Sequence, residues 1–172
     1  EVEFPDTFEG HRDRLLMLML YTTGMRRSEL ISLKRSDVDV HAKTVRVLGK
    51  GNKERIIPVI PEVLDELQHY IRFAEERFGE QPRLFLTSRG KPFYAELVYR
   101  TVRSYLTKVT SVSKKSPHVI RHTFATHLLN NGAELNTVKE LLGHANLSAT
   151  EVYTHNTFEK LKSVYKQAHP RA

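Results

Sequence analysis

The sequence predicts a mostly helical domain carrying a small antiparallel β-sheet, an α+β fold. Apolar residues recur at helical spacing in several segments, with Val63, Leu67, Tyr70, Ala74 and Phe78 as the clearest series. Two β-rich runs, Thr44-Val45-Arg46-Val47-Leu48 and Arg55-Ile56-Ile57-Pro58-Val59, flank Gly49-Lys50-Gly51-Asn52-Lys53-Glu54, which reads as a hairpin tip. Helix punctuation then dominates the second half of the chain.

In chain order, Leu15, Leu16, Met17, Leu18, Met19 and Leu20 form an apolar run suited to a buried helix. Thr22-Thr23-Gly24 breaks it, and a second helix begins near Arg26, placing that residue in a first turn. Pro58 puts the second hairpin strand at a sheet edge, because proline has no N–H for the ladder. A helix is expected from Pro61 to Phe78, and Leu84 to Leu86 are expected to add a third short strand before the turn Ser88-Arg89-Gly90-Lys91-Pro92. Further helices are expected over 95–109, 117–131, 137–142, 148–154 and 158–168. Pro117 suits a first helical turn, Gly132 and Gly143 suit C-terminal caps, and Ser148-x-x-Glu151 and Asn156-x-x-Glu159 resemble capping boxes.

Composition narrows the chemistry. The chain has 172 residues and no Pro/Gly/Ser linker or composition shift, which predicts a single domain over 1–172. It contains no Cys, so disulfides, Cys-based metal sites and thiol catalysis are excluded. The longest apolar run, Leu15 to Tyr21, is far short of the roughly 20 residues that span a bilayer. The opening Glu1-Val2-Glu3-Phe4-Pro5 has neither an initiator Met nor signal-peptide character, so a fragment of a longer cytoplasmic protein is expected. Lys and Arg outnumber Asp and Glu by 27 to 20, and the net charge of +7 favours a polyanionic partner.

The residues that carry chemistry fall in Thr23-Gly24-Met25-Arg26-Arg27-Ser28-Glu29-Leu30, in the hairpin tip with Lys50, in His118-Val119-Ile120-Arg121-His122, in Leu142-Gly143-His144, and at Tyr153. Singly, each has an ordinary reading. Arg26 and Lys50 would be solvated charges, and Tyr153 a packing residue. His118 and His122 have the i, i+4 spacing of a zinc helix, but Val119 stands where His-Glu-x-x-His needs its glutamate, and no metal is expected.

As an ordered set, these motifs resemble the tyrosine recombinase family, also called phage integrases, and most closely its bacterial and archaeal Xer-type branch. The resemblance runs from about Leu15 to the His169-Pro170-Arg171-Ala172 ending. It implies catalytic roles for Arg26, Lys50, His118, Arg121, His144 and the nucleophile Tyr153, nine residues after His144. Glu29 matches an acidic position that supports the first arginine, and His122 is a further supporting candidate. The implied reaction is transesterification to a 3′-phosphotyrosine, followed by attack of a partner strand's 5′-hydroxyl, with no cofactor.

The physical chemistry fits that assignment. Two guanidinium forks, on Arg26 and Arg121, meet the charge that develops on a phosphodiester's non-bridging oxygens, and His144 can add a hydrogen bond. Ionising a tyrosine of pKa about 10 at neutral pH costs about 4 kcal/mol, which a cationic site and a base, here His118, must offset. Lys50, with an ordinary pKa of about 10.4, is protonated at neutral pH and suits protonation of the leaving 5′ oxygen.

Lys53, Arg55, Lys114 and Lys115 are candidates for contacts to DNA phosphates. Phe158, Leu161, Val164 and Tyr165 form an apolar stripe on the last expected helix, which the resemblance assigns to docking on a neighbouring protomer within a tetrameric synapse on a double-stranded DNA site. Full-length family members carry an N-terminal core-binding domain, for which there is no room before Leu15. Chromosome-dimer resolution is the expected task. Integration of a mobile element, a type IB topoisomerase-like nicking enzyme and a catalytically silent DNA-binding domain are the alternatives.

Overall fold

The computed structural model describes residues 3–109, 111 and 115–143. Within them are six α-helices and a small sheet: α1 Phe8–Thr23, α2 Arg27–Ser32, α3 Pro61–Phe78, α4 Ala95–Val109, α5 Pro117–Asn130 and α6 Leu135–Leu142. The strands are β1 Val38–Asp39, β2 Thr44–Leu48 and β3 Glu54–Pro58, antiparallel in the order β1-β2-β3. The mostly helical α+β expectation holds. Among the described residues, no helix is long and apolar enough to cross a membrane.

The apolar run of the sequence is the centre of the molecule. Leu15, Leu16, Met19 and Leu20 are almost wholly buried, and α1 packs against both α3 and α5. A helix this apolar must be covered on most sides. Thr7 caps its start by accepting from the Gly10 N–H at 3.1 Å. Its end is set by Gly24, whose φ of 61° is left-handed and whose N–H returns to the Leu20 carbonyl. The turn at Gly24 leaves no space for a side chain, because a Cβ there would lie 2.3 Å from Phe124 and 2.9 Å from Leu142. It therefore brings α1, α5 and α6 into contact at one point.

On α3, Val63, Leu67, Tyr70 and Ala74 face the core, as their spacing predicts. The Tyr70 hydroxyl, fully enclosed, accepts the Leu86 N–H at 3.0 Å and ties the chain after α3 to the core. That segment differs from expectation. Leu84 to Leu86 are buried but form no named strand. Leu84 N–H bonds to the Leu33 carbonyl, Phe93 N–H bonds to the Phe85 carbonyl, and Leu86 and Pro92 make an isolated bridge. The third strand is instead β1, a two-residue piece paired with Val45 and Thr44.

The hairpin register pairs Val47 with Arg55 and Leu48 with Glu54. β3 lies at a sheet edge, where Pro58 needs no ladder partner. The tip, Lys50 to Asn52, is a single tight turn with left-handed backbone at Gly51 and Asn52. Pro117 opens α5 and Gly143 caps α6 in the left-handed region, as expected. The helix ending at Leu142 begins at Leu135, two residues before its expected start. The expected helices over 148–154 and 158–168, with both capping boxes, lie outside the described residues.

Candidate active site

A helix ends in carbonyls without intrahelical partners and in a partial negative charge, so cations are stabilised there. At the end of α6 this is met three times over. Successive carbonyls accept from three different arginines: Leu141 from Arg55 Nε at 2.9 Å, Leu142 from Arg121 Nη2 at 2.7 Å, and Gly143 from Arg26 Nη2 at 3.0 Å. Gly143 immediately precedes His144 in the chain.

Arg26 stands at the N-cap of α2, one residue before the helix starts, and not in the first turn. Glu29 holds it from two sides. Glu29 Oε2 accepts the Arg26 backbone N–H at 2.6 Å, and Oε1 accepts Arg26 Nη1 at 2.9 Å. Arg121, one turn after His118 on α5, donates from Nη1 to the Gly24 carbonyl and from Nη2 to Leu142. Among the described residues, each of these two guanidinium groups thus uses two of its five N–H donors on backbone or carboxylate. The remaining donors are what an anion would take, in a fork already fixed in orientation.

The electrostatics are those of a concentrated positive site. Burial, then the neighbouring charge of Arg26, pushes the Arg121 guanidinium down to about 10, so it remains a cation at neutral pH. Burial alone would raise the carboxyl of Glu29. The hydrogen bonds and charge of Arg55 and the two bonds from Arg26 outweigh it and hold Glu29 below the usual carboxylate range.

The structure brings Arg26, Glu29 and Arg121 together. Lys50 is exposed at the hairpin tip, with Lys53 exposed beside it. His118 is exposed at the second position of α5, and His122 is exposed further along it. Lys115 is half-buried just before α5. His144, Tyr153, Lys114, Phe158, Leu161, Val164 and Tyr165 lie outside the described residues. Among the described residues, no group of three or more His, Cys, Asp or Glu side chains is arranged to hold a metal ion.

Arg55 is a correction. Expected to meet DNA, it is only 5% exposed, and all three of its guanidinium nitrogens are engaged inside the protein. Nη1 and Nη2 each reach one oxygen of Glu29 at 2.8 Å. The signal was in the strand alternation. Arg55 shares a face with Ile57, which is fully buried, and sits opposite inward-facing Val47.

Residues 2–160 match the phage integrase family. The chain belongs to that family. Among curated relatives of this phage integrase family member, tyrosine recombinase XerC of Chlorobaculum parvum is 48% identical over 172 residues, covering 96% of this chain and 51% of the relative. Tyrosine recombinase XerD of Staphylococcus saprophyticus is 40% identical and covers 95% of this chain and 56% of its own. The crystal structure of XerA recombinase superposes with a TM-score of 0.71 at 33% identity, covering 94% of this chain and 58% of that one. XerH site-specific recombinase bound to its difH substrate, in a pre-cleavage complex, superposes with a TM-score of 0.75 at 27% identity, covering 96% and 49%. The chain spans about half the length of the curated relatives it matches.

Proposed function

We propose that this chain is the strand-cleaving part of a site-specific DNA recombinase that uses Tyr153 as its nucleophile. The observation that carries the reading is the convergence of Arg26 and Arg121 on the end of α6, each guanidinium anchored by two hydrogen bonds and both beside the residue that precedes His144. Preorganised forks of this kind stabilise charge developing on a phosphoryl group without reorganising at the moment of reaction.

In this reading the phosphate of one DNA strand sits between Arg26 and Arg121, with His144 donating to a non-bridging oxygen. Tyr153 Oη attacks phosphorus and its proton passes to His118. The bond from phosphorus to the 5′ oxygen breaks, the strand is held as a 3′-phosphotyrosine, and Lys50 protonates the departing 5′ oxygen. Attack by the 5′-hydroxyl of a partner strand reverses each transfer and releases the tyrosine. The ester bond count is conserved throughout, so the exchange needs no nucleotide cofactor.

The likeness to the XerC and XerD tyrosine recombinases favours an Xer-type task over integration of a mobile element, and chromosome-dimer resolution is the task proposed. The partners are a double-stranded DNA site and neighbouring protomers in a tetrameric synapse, with Phe158, Leu161, Val164 and Tyr165 as the docking stripe. Such a substrate places the work in the cytoplasm. Lys50, Lys53, Lys114 and Lys115 are the cations proposed to lie near phosphates.

The test uses a pool of nicked duplexes with a randomised core, incubated with the chain and then denatured. A DNA-protein adduct that survives denaturation and forms in EDTA is expected, and the duplex that gives it is recovered from the pool. Binding without any adduct across the whole pool would instead identify a silent DNA-binding domain.

A further inference from the structure

We propose that Arg55, a residue outside the set assigned to the reaction, is a positioning residue that fixes Arg26 through Glu29 and locks the lysine-bearing hairpin to the end of α6. The inference rests on the reading of the site as a strand-cleaving centre and deepens it.

Arg55 stands where three elements of the site meet. It belongs to β3, so it moves with the hairpin whose tip carries Lys50. Its Nη1 and Nη2 grip both oxygens of Glu29 at 2.8 Å, on α2. Its Nε holds the Leu141 carbonyl at 2.9 Å, on α6. Gly143 packs on the guanidinium, since a Cβ there would lie 3.0 Å from Nη1 and 3.2 Å from Cζ. Gly49, at the start of the hairpin tip, faces the same pair, its Cβ direction 3.4 Å from Arg55 Nη1 and from Glu29 Oε1.

The consequence runs through Glu29. A carboxylate held by a bidentate fork has its plane fixed. With Arg55 in place, Glu29 Oε1 faces Arg26 Nη1 and Oε2 faces the Arg26 backbone N–H. Without it, a carboxylate only 3% exposed loses one of the two residues that bond both its oxygens and is left to Arg26 alone. Arg26 then changes position relative to Gly143 and hence to the phosphate. Lysine cannot substitute, because one ammonium cannot reach both carboxylate oxygens and the Leu141 carbonyl in the plane that a guanidinium spans.

The experiment compares the unsubstituted chain with Arg55→Lys, Arg26→Lys and the double variant, well below each melting transition, on the adduct-forming nicked duplex from the randomised pool. Arg55→Lys is expected to leave DNA affinity within about threefold and to slow the maximal single-turnover rate by on the order of 10- to 100-fold. In the double variant the two losses overlap and do not multiply, with a coupling of about 10-fold or more. An unchanged maximal rate, or losses that multiply, overturns the proposal. A second readout needs no cleavage: in nitrogen-15 spectra the Arg26 Nη groups, hindered in the unsubstituted chain, should rotate freely in Arg55→Lys. Retained hindrance also overturns it. Failure of the unsubstituted chain to form any adduct bears on the strand-cleaving assignment alone, since the spectra still report whether Arg55 holds Arg26.

Discussion

Arg121 on α5 donates a 2.7 Å hydrogen bond to the carbonyl of Leu142, the last residue of α6, while its other terminal nitrogen holds the Gly24 carbonyl at the α1–α2 turn. One side chain thus clamps two backbone turns that flank the site. Arg121→Lys keeps the charge but cannot span both carbonyls. Its single-turnover cleavage rate should fall by on the order of 100- to 1,000-fold, the loss typical of a preorganised donor. Denaturant unfolding should show a loss of about 1–3 kcal/mol, because the carbonyl of a buried residue, Gly24 or Leu142, is left without its donor.

The Gly24 turn is a separate test of the packing. Gly24→Ala combines a left-handed φ of 61° with a Cβ 2.3 Å from Phe124. A destabilisation of about 2–4 kcal/mol is expected by urea titration. Gly51, with φ of 75° but nothing within 4 Å of a Cβ, is the control. Gly51→Ala should cost only about 1 kcal/mol.

Acid sensitivity follows from Glu29. Its folded-state pKa is below its unfolded value, because Arg55 and Arg26 outweigh the opposing effect of burial. Its contribution is therefore present above the ordinary value of 4.5 and is lost as pH falls through the lower folded value. His11 acts in the opposite direction. Burial lowers its pKa, but the hydrogen bonds it donates to Asp6 and Glu66 raise it overall, so its contribution is full below 6.5 and is lost as pH rises through the folded value. Unfolding curves across pH should show the stability gap between the unsubstituted chain and Glu29→Gln closing in acid. The gap for His11→Asn should close in alkali.

Much of this was legible in the sequence, and what was not has physical causes. The helix over 61–78 and the hairpin follow from spacing that the structure reproduces, since amphipathic periods report which face is buried. β1 left no trace, because two residues carry no alternation. Leu84 to Leu86 read as a strand because they are apolar and buried, yet their backbone bonds go to Leu33 and Tyr70 across the fold. Arg26, Glu29 and Arg121 were legible as a family-spaced set. The shared anchor of Arg26, Arg55 and Arg121 at residues 141–143 was not, because contacts spanning 21 to 117 positions leave no local pattern.

Lys50 is exposed on a tight tip. If it supplies the proton to the departing 5′ oxygen, Lys50→Ala should cleave an ordinary nicked duplex on the order of 100- to 1,000-fold more slowly. A duplex with sulfur in place of that bridging 5′ oxygen needs no proton donor, because a thiolate leaves unassisted. Single-turnover rates of the variant and the unsubstituted chain should then agree within severalfold. A deficit equal on both substrates would assign Lys50 to phosphate binding instead.

The decisive measurement is the mass of the DNA-linked peptide. After trapping on a nicked duplex, nuclease digestion and proteolysis, fragmentation should place a single 3′-linked phosphonucleotide on Tyr153, and Tyr153→Phe should yield no adduct. A phosphonucleotide on another residue, or an adduct that persists in Tyr153→Phe, would contradict the assignment of the nucleophile.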